Sequence, residues 1–325
     1  MAPQFVDYNA DGRIDIVTAT FDGSPHVSLR GPEGFAEPER ILDKKGERVM
    51  LAQFWNYKAE KWDNNDGQPK GHCTSAVVFD WDNDGDHDLL LGSYKDGHLY
   101  RQMNEGKPGK PKFTGVNVPV TIDGKKLGIP GGITTPRLVD WDGDGLVDLL
   151  VGGYGDGYGK GDGGGVWLYR NVGTLGAPRF AAPLTLIVPS AKDGKGPTRP
   201  DTGLYADAVD YDGDGDLDLV VGGYSNWEAE PRELTQQEHA GADELQAQIN
   251  ASQEAMSALH DGLGIDESTS AEKRKKLFEK LLETEEYTKL REASQAARIE
   301  LLELIPAPNR ESFVWLYRRI GSPVQ

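Results

Sequence analysis

One acidic nonapeptide occurs four times in the chain: DYNADGRID (Asp7 to Asp15), DWDNDGDHD (Asp80 to Asp88), DWDGDGLVD (Asp140 to Asp148) and DYDGDGDLD (Asp210 to Asp218). Each copy places oxygen-bearing side chains at positions 1, 3, 5 and 9 and glycine at position 6, a spacing that wraps a short loop around one hard cation. Calcium accepts six to eight oxygen ligands in flexible geometry, whereas magnesium prefers a tight octahedron that keeps its water. The spacing therefore predicts calcium, about one ion per loop and about four in all. Without a cation the clustered carboxylates would repel one another and push some pKa values up. The candidate ligands are Asp7, Asn9, Asp11, Arg13 and Asp15 in loop 1, and Asp80, Asp82, Asp84, Asp86 and Asp88 in loop 2. Loop 3 offers Asp140, Asp142, Asp144, Leu146 and Asp148, and loop 4 offers Asp210, Asp212, Asp214, Asp216 and Asp218.

The residues around the loops decide which kind of calcium motif this is. An EF-hand requires a bidentate Glu at loop position 12 and a helix on either side, but position 12 is Thr18, Leu91, Val151 and Val221. Each loop runs instead into a short apolar stretch (IDIVTAT, DLLLGSY, DLLVGGY, DLDLVVGGY) that reads as a buried strand. Another apolar piece precedes each loop (APQFVD, TSAVVFD, TPRLVD, YADAVD), so the cation sits in a hairpin turn. A third strand follows in every unit (HVSLR, GHLYR, GVWLYR, FVWLYR), and a fourth is expected around Phe35, Phe113 and Phe180 in the first three. Unit starts are 73, 60 and 70 residues apart, the signature of one supersecondary unit repeated. Four-stranded units joined without helices suit the blades of a β-propeller, an all-β fold.

At the loop D-x-D/N-x-D-G-x-x-D, followed by an apolar strand and small residues, the chain resembles the FG-GAP or VCBS repeat family. That family includes the integrin α-subunit propeller and many secreted bacterial proteins. The resemblance covers nearly everything outside residues 229 to 309 and implies four-stranded blades with calcium in the loops. It leaves activity open, because adhesion modules, lectins and lyases share the fold. The expected organisation is propeller blades one to three and the start of blade four over residues 1–228, an inserted helical hairpin over 229–309, and the returning strand of blade four over 310–325. The last unit ends at FVWLYRRIGSPVQ without an outer strand, so a four-bladed ring, an incomplete ring and one completed by another chain all stay open.

The insertion is a different material. Residues 229–305 hold three of the 41 glycines, Gly241, Gly262 and Gly264, and are rich in helix formers. Leu245, Ile249, Ser252, Met256, Leu259 and Leu263 form one heptad seam, and Leu290, Ser294, Ala297, Leu301 and Leu304 form another. DGLGIDESTS supplies a turn and a cap between them, and Pro306 and Pro308 end the second arm. An antiparallel, coiled-coil-like hairpin results, either packing on itself or serving as an arm for a partner or for self-association.

Charge narrows the partners. The chain carries 35 Lys and Arg against 53 Asp and Glu, a formal charge of −18, which disfavours nucleic acid and anionic lipid. No stretch is long and apolar enough to span a membrane. The single cysteine, Cys73, cannot form an internal disulfide, so packing and metal must stabilise the fold. Weak multi-carboxylate loops suit the millimolar calcium outside cells. The expected location is secreted, extracellular or periplasmic, with an export signal ahead of the strand that begins just after Met1.

Strand order places the loops between first and second strands on one side of the blades. The second-to-third strand connections lie on the other, together with the linkers 41–74, 120–135 and 188–207. That second side gathers the insertion, the Gly-rich segment Tyr154 to Gly165, and Phe54, Trp55, Tyr57, Trp62 and His72 of the first linker. Clustered aromatics there mark a protein or glycan ligand or, alternatively, cover blade edges. Tyr8, Trp81, Trp141 and Tyr211, at loop position 2, read as packing residues between blades. His26, His72, His87, His98, His239 and His260 are scattered, and no nucleophile elbow, HExxH helix or phosphate-cradling loop occurs. Lys58, Lys61, Lys70 and His72 are residues from which a lyase base could be assembled. The expectation is a non-catalytic, adhesion-type scaffold for a protein or cell-surface partner, with a lectin and then a calcium-dependent polysaccharide lyase as alternatives.

Overall fold

The apolar runs behind the acidic loops of repeats 2 and 3 are strands whose two faces are buried in two different cores, and this explains why they are apolar throughout rather than alternating. The structure is a computed structural model that describes the chain apart from residues 1–2, 21–22, 52–53, 57–60, 64–73, 94–95, 156–161, 191–198, 228–232, 266–268, 270, 308 and 321–325. Over the described residues it is mostly β, with several antiparallel sheets and three helices. Repeat 1 contributes β1 (Gln4–Val6), β2 (Asp15–Ala19), β3 (Pro25–Ser28) and β4 (Glu39–Arg40). Repeat 2 contributes β5 (Thr74–Phe79), β6 (Asp88–Ser93), β7 (Leu99–Gln102) and β8 (Val118–Pro119). Repeat 3 contributes β9 (Ile133–Val139), β10 (Asp148–Gly153), β11 (Val166–Tyr169) and β12 (Leu184–Ile187). These are three up-and-down sheets of four strands in chain order, and repeat 4 forms a three-stranded sheet from β13 (Thr202–Val209), β14 (Asp218–Trp227) and β15 (Asn309–Tyr317).

Three cores join consecutive repeats. Leu89 and Leu91 of β6, with Ala76 and Val78 of β5, face Val17, Ala19 and Val27 of repeat 1. Leu90 and Val77, pointing to the opposite face, join Leu149, Val151 and Trp167 of repeat 3. Leu150 of β10 and Val166 and Leu168 of β11 then meet Leu204, Leu219 and Val221 of repeat 4. Side chains alternate across each strand, so every inner strand of repeats 2 and 3 serves two cores. Ile16 and Thr18 of β2, and Val220 of β14, turn to faces that belong to none of the three clusters and are only partly buried. Gln4 adds a polar link between repeats: its amide nitrogen donates to the Val78 carbonyl at 3.0 Å and its oxygen accepts from the Val78 N–H at 2.6 Å.

The fourth strands lie later than expected. Phe113 and Phe180 make isolated bridges to Asn104 and Asn171 and are buried side chains of a connecting turn, and Phe35 belongs to a short ribbon (Arg30–Gly31 with Gly34–Phe35). The sheet is completed five or so residues beyond each phenylalanine because the turn after the third strand is a tight hairpin of its own.

By internal contact the chain divides into Met1–Asn226 with Arg310–Gln325, and Trp227–Asn309. The second unit holds α1 (Gln236–Asp261), α2 (Ala271–Leu282) and α3 (Glu285–Leu304). Thr235 starts α1 with a reciprocal capping box to Glu238. In α1, Ala242, Ile249 and Ser252 are buried, and in α3, Ser294 and Ala297 are buried; all but Ala242 belong to the expected seams, and all but Ile249 are small. The second arm differs from the expectation of one helix. The Thr284 hydroxyl donates to the Leu281 carbonyl at 2.7 Å and accepts from the Tyr287 N–H at 3.3 Å, which closes α2 and opens α3 at one residue.

Candidate metal centre

Each acidic loop is a turn wound around its own carboxylates. The position 1 aspartate receives two backbone N–H groups, from positions 5 and 6 in loops 1 to 3: for Asp80 these are Asp84 at 3.1 Å and Gly85 at 3.1 Å. Asp7 and Asp140 accept the equivalent pairs, and Asp210 accepts from Gly213 and Gly215. The position 5 carboxylate accepts from the N–H of position 7 in all four loops. Winding this tightly needs left-handed backbone at position 6, where Gly12, Gly85, Gly145 and Gly215 have φ between 84° and 93°. Position 4 is left-handed as well, at Ala10, Asn83, Gly143 and Gly213.

Position 9 does a structural job that the ligand spacing conceals. Asp15, Asp88, Asp148 and Asp218 are at most 2 % exposed. Each accepts the N–H of loop position 2 on one oxygen and the N–H of a residue beyond the third strand on the other. Asp88 takes Trp81 at 2.9 Å and Asn104 at 2.6 Å, Asp148 takes Trp141 at 3.2 Å and Asn171 at 2.7 Å, and Asp15 takes Tyr8 and Arg30. Asp218 takes Tyr211 and Arg319. These carboxylates tie the loop to its own sheet.

Oxygen ligands converge in three loops. Asp80, Asp82 and Asp88, then Asp140, Asp142 and Asp144, then Asp210, Asp212 and Asp214, each bring carboxylate oxygens within 4.8 Å of one another. Among the described residues loop 1 forms no such trio, Asn9 standing where the others have a carboxylate. The donor set is all oxygen, which suits a hard cation. Asp86, 5 % exposed, has an oxygen, Oδ1, with no hydrogen-bond partner, and so does Asp216. Burial, and then Asp84, Asp82 and Asp80, push the Asp86 carboxyl up to about 6. Burial likewise raises Asp88 to about 6 against the two N–H groups it accepts. Anions so disfavoured are what a bound cation would relieve. The residues present therefore fit calcium.

The profile of the FG-GAP-like repeat matches residues 80–151 and again 140–221, each match spanning two consecutive acidic loops and the strands between them. Residues 80–221 are therefore FG-GAP-like repeats. No curated protein matches it.

Within the FG-GAP-like region, the turn after the third strand emerges as a functional element that the sequence reading passed over. Asn104 Oδ1 accepts from the N–H groups of Gly106 at 2.9 Å and Lys112 at 2.7 Å, and Asn171 Oδ1 accepts from Gly173 and Arg179 in the same way. The signal was present as N-x-G-x-x-G-x-P-x-F, at Asn104 to Phe113 and Asn171 to Phe180. This hairpin abuts the acidic loop of the preceding repeat. A β-carbon on Gly109 would lie 2.3 Å from the Asn9 carbonyl oxygen, and one on Gly176 would lie 2.5 Å from that of Asp82, both loop position 3.

The position 2 aromatics pack toward the following repeat, as the sequence predicts, with one exception. Trp81 is 7 % exposed with its ring 6.2 Å from Phe180, and the Arg319 guanidinium lies 5.4 Å from the Trp141 ring. Tyr211, in the last repeat, is 66 % exposed. Of the residues expected on the other side of the sheets, Trp55 pairs with Trp62 in a two-stranded ribbon (Phe54–Asn56 with Lys61–Asp63). Tyr57, Lys58, Lys70, His72, Cys73 and Tyr158 lie outside the described residues. The Tyr154 hydroxyl is 2.6 Å from that of Tyr224, over whose ring Arg310 stacks at 3.8 Å.

Proposed function

We propose that this chain is a calcium-stabilised, β-propeller-type scaffold without catalytic activity, exported from the cell and holding a protein or cell-surface partner. The observation that carries the reading is the convergence of carboxylates in loops 2, 3 and 4, joined in loops 2 and 4 by a buried oxygen, of Asp86 and of Asp216, that no hydrogen-bond donor reaches. The position 3 carbonyls of loops 1 and 2 touch the next repeat, so a cation that fixes a loop also fixes the join between sheets. Calcium then acts on the rigidity of the scaffold, and recognition is left to the connections at the other ends of the strands, where rigid folds commonly carry their binding loops. No helix among the described residues is long and apolar enough to cross a membrane.

A thermal melt with and without chelator tests this. A ligand that binds only the folded state adds about 2.7 kcal/mol per site at a hundredfold excess over Kd, so EGTA lowers the Tm and added calcium restores it. An unchanged melt after exhaustive chelation contradicts the reading. A lectin is the second reading, favoured by the pairing of Trp55 with Trp62 across one ribbon. Binding on a glycan array that Trp55→Ala abolishes would establish it. Ultraviolet absorbance from unsaturated uronate products would instead reveal a lyase.

A further inference from the structure

Loop 2 differs from the other loops in the balance of charge around its ligands. It carries five carboxylates, Asp80, Asp82, Asp84, Asp86 and Asp88. Among the described residues no lysine or arginine forms an ion pair with any of them. Arg101, close by, stacks on the Trp81 ring at 5.2 Å and donates to the Met103 sulfur at 3.4 Å. In the other loops an arginine already holds a ligand carboxylate. Arg13 meets Asp11 at 2.7 Å in loop 1, Arg170 pairs with Asp142 in loop 3, and Arg318 pairs with Asp212 in loop 4, where Arg319 also approaches Asp216 at 3.9 Å. Asp142 and Asp212 belong to the converging trios, so each guanidinium occupies oxygen that a cation needs. The balance is three carboxylates against one arginine in loop 1, five against none in loop 2, four against one in loop 3 and five against two in loop 4. Asp86 gives independent evidence for a ligand at loop 2, as Asp216 does at loop 4, because the buried Oδ1 of each has no hydrogen-bond partner, and Asp86 is the more deeply buried of the two.

We propose that loop 2 is the high-affinity cation site of the chain, with Asp86 as an added anionic residue, and that Arg170 and Arg318 are internal counter-ions that delay filling of loops 3 and 4. The inference rests on the calcium reading of the loops. Affinity in such sites follows the number of charged ligands, and a guanidinium within hydrogen-bond reach of a ligand offsets one of those charges. Exposed on one side, these arginines can release a carboxylate without leaving a buried charge behind: the Arg170 and Arg318 side chains are 45 % and 62 % exposed. Cation binding is therefore stepwise, with loop 2 filling before loops 3 and 4. The join between repeats 2 and 3, where Gly176 meets Asp82 of loop 2, is fixed at low cation concentration, and the repeat 4 sheet at higher concentration.

Terbium, which takes oxygen sites of the calcium kind and luminesces when a nearby indole is excited, reports each loop separately, because Trp81 and Trp141 hold position 2 of loops 2 and 3. The full chain is titrated with terbium as the wild type and as Trp81→Phe and Trp141→Phe, with circular dichroism to verify that each variant keeps its strands. The signal lost in Trp81→Phe saturates first, and the signal lost in Trp141→Phe saturates at about tenfold higher terbium. Arg170→Gln moves the Trp141 signal to lower concentration and leaves the Trp81 signal in place, while Asp86→Asn moves the Trp81 signal to higher concentration. Saturable binding with the two signals in the same or reverse order, or an Arg170→Gln titration identical to the wild type, overturns the proposed order alone. Absence of any terbium signal overturns the calcium reading with it.

Discussion

Gly109 lies so close to Asn9 that a β-carbon on it would stand 2.3 Å from the Asn9 carbonyl oxygen. Two residues one hundred positions apart thus bring the hairpin of repeat 2 against the acidic loop of repeat 1, backbone to backbone. Gly109 also has φ of 75°, where an L side chain is strained by about 1–2 kcal/mol before any clash. Forced overpacking adds about 1–3 kcal/mol. Gly109→Ala is therefore expected to destabilise the protein by about 2–5 kcal/mol in urea unfolding. Gly176→Ala, facing Asp82 at 2.5 Å, should behave alike. Loss below about 1 kcal/mol in both would mean that the hairpins do not bear on the loops in solution.

Ala10 supplies the opposite case. It occupies loop position 4 with φ of 55°, the place held by Gly143 and Gly213 in loops 3 and 4. Ala10→Gly relieves the left-handed strain at the cost of a more flexible unfolded chain. A net gain of about 0.5–1 kcal/mol is expected. It should be measurable in EGTA, since the strain belongs to the polypeptide and not to the cation. A destabilised variant would show that the Ala10 methyl group makes packing interactions worth more than the strain.

How far the sequence discloses this molecule depends on whether a residue's role is set locally. The nonapeptides and the apolar runs behind them identify hairpins, strands and converging carboxylates, because a loop of nine residues carries all the information for its own turn. Asp15, Asp88, Asp148 and Asp218 look like ligands by spacing alone, yet their hydrogen bonds run to residues as distant as Arg319, a hundred and one positions after Asp218. No local pattern reveals such a partner. Asn104 and Asn171 were passed over for a related reason: a glycine-rich stretch reads as an unspecified loop until its carbonyl acceptor is seen closing it. The break at Thr284 is hidden because the heptad positions on α3 give no sign that α2, before them, is a separate helix.

The tie made by position 9 allows stability to be separated from metal affinity. Asp218 is 1 % exposed and accepts from Tyr211 and Arg319, whereas Asp214 is exposed and accepts through one oxygen from Asp216. Asparagine at 218 keeps one acceptor and turns an NH2 group toward the other N–H, leaving buried donors facing each other. Asp218→Asn should cost about 1–3 kcal/mol in chelator, whether or not calcium is later added. Asp214→Asn should leave chelated stability within about 0.5 kcal/mol and weaken the calcium response of loop 4. Urea unfolding in EGTA, paired with calorimetric calcium titration, reads both. Equal effects of the two substitutions in chelator would remove the distinction between tie and ligand.

The helical unit offers the last test. β14 and β15 are neighbours in one sheet, and the chain leaves at Trp227 and returns at Asn309, so the two points to be joined belong to adjacent strands. The stacking of Arg310 over Tyr224 at 3.8 Å holds the strands together close to those points, without any residue of the insertion. Loop-closure cost grows only slowly with length, so replacing residues 229–308 by a few glycines and serines changes the entropy of the connection little. Circular dichroism of the shortened chain should show the helical signal gone and the strand signal kept, and calcium should still raise its Tm. The buried residues of α1 and α3 pack in an α1–α3 seam of their own, which is why the sheets are expected to survive. An insoluble product, or one whose strand signal collapses, would show that the helices are part of the sheet unit's stability and not an appendage to it.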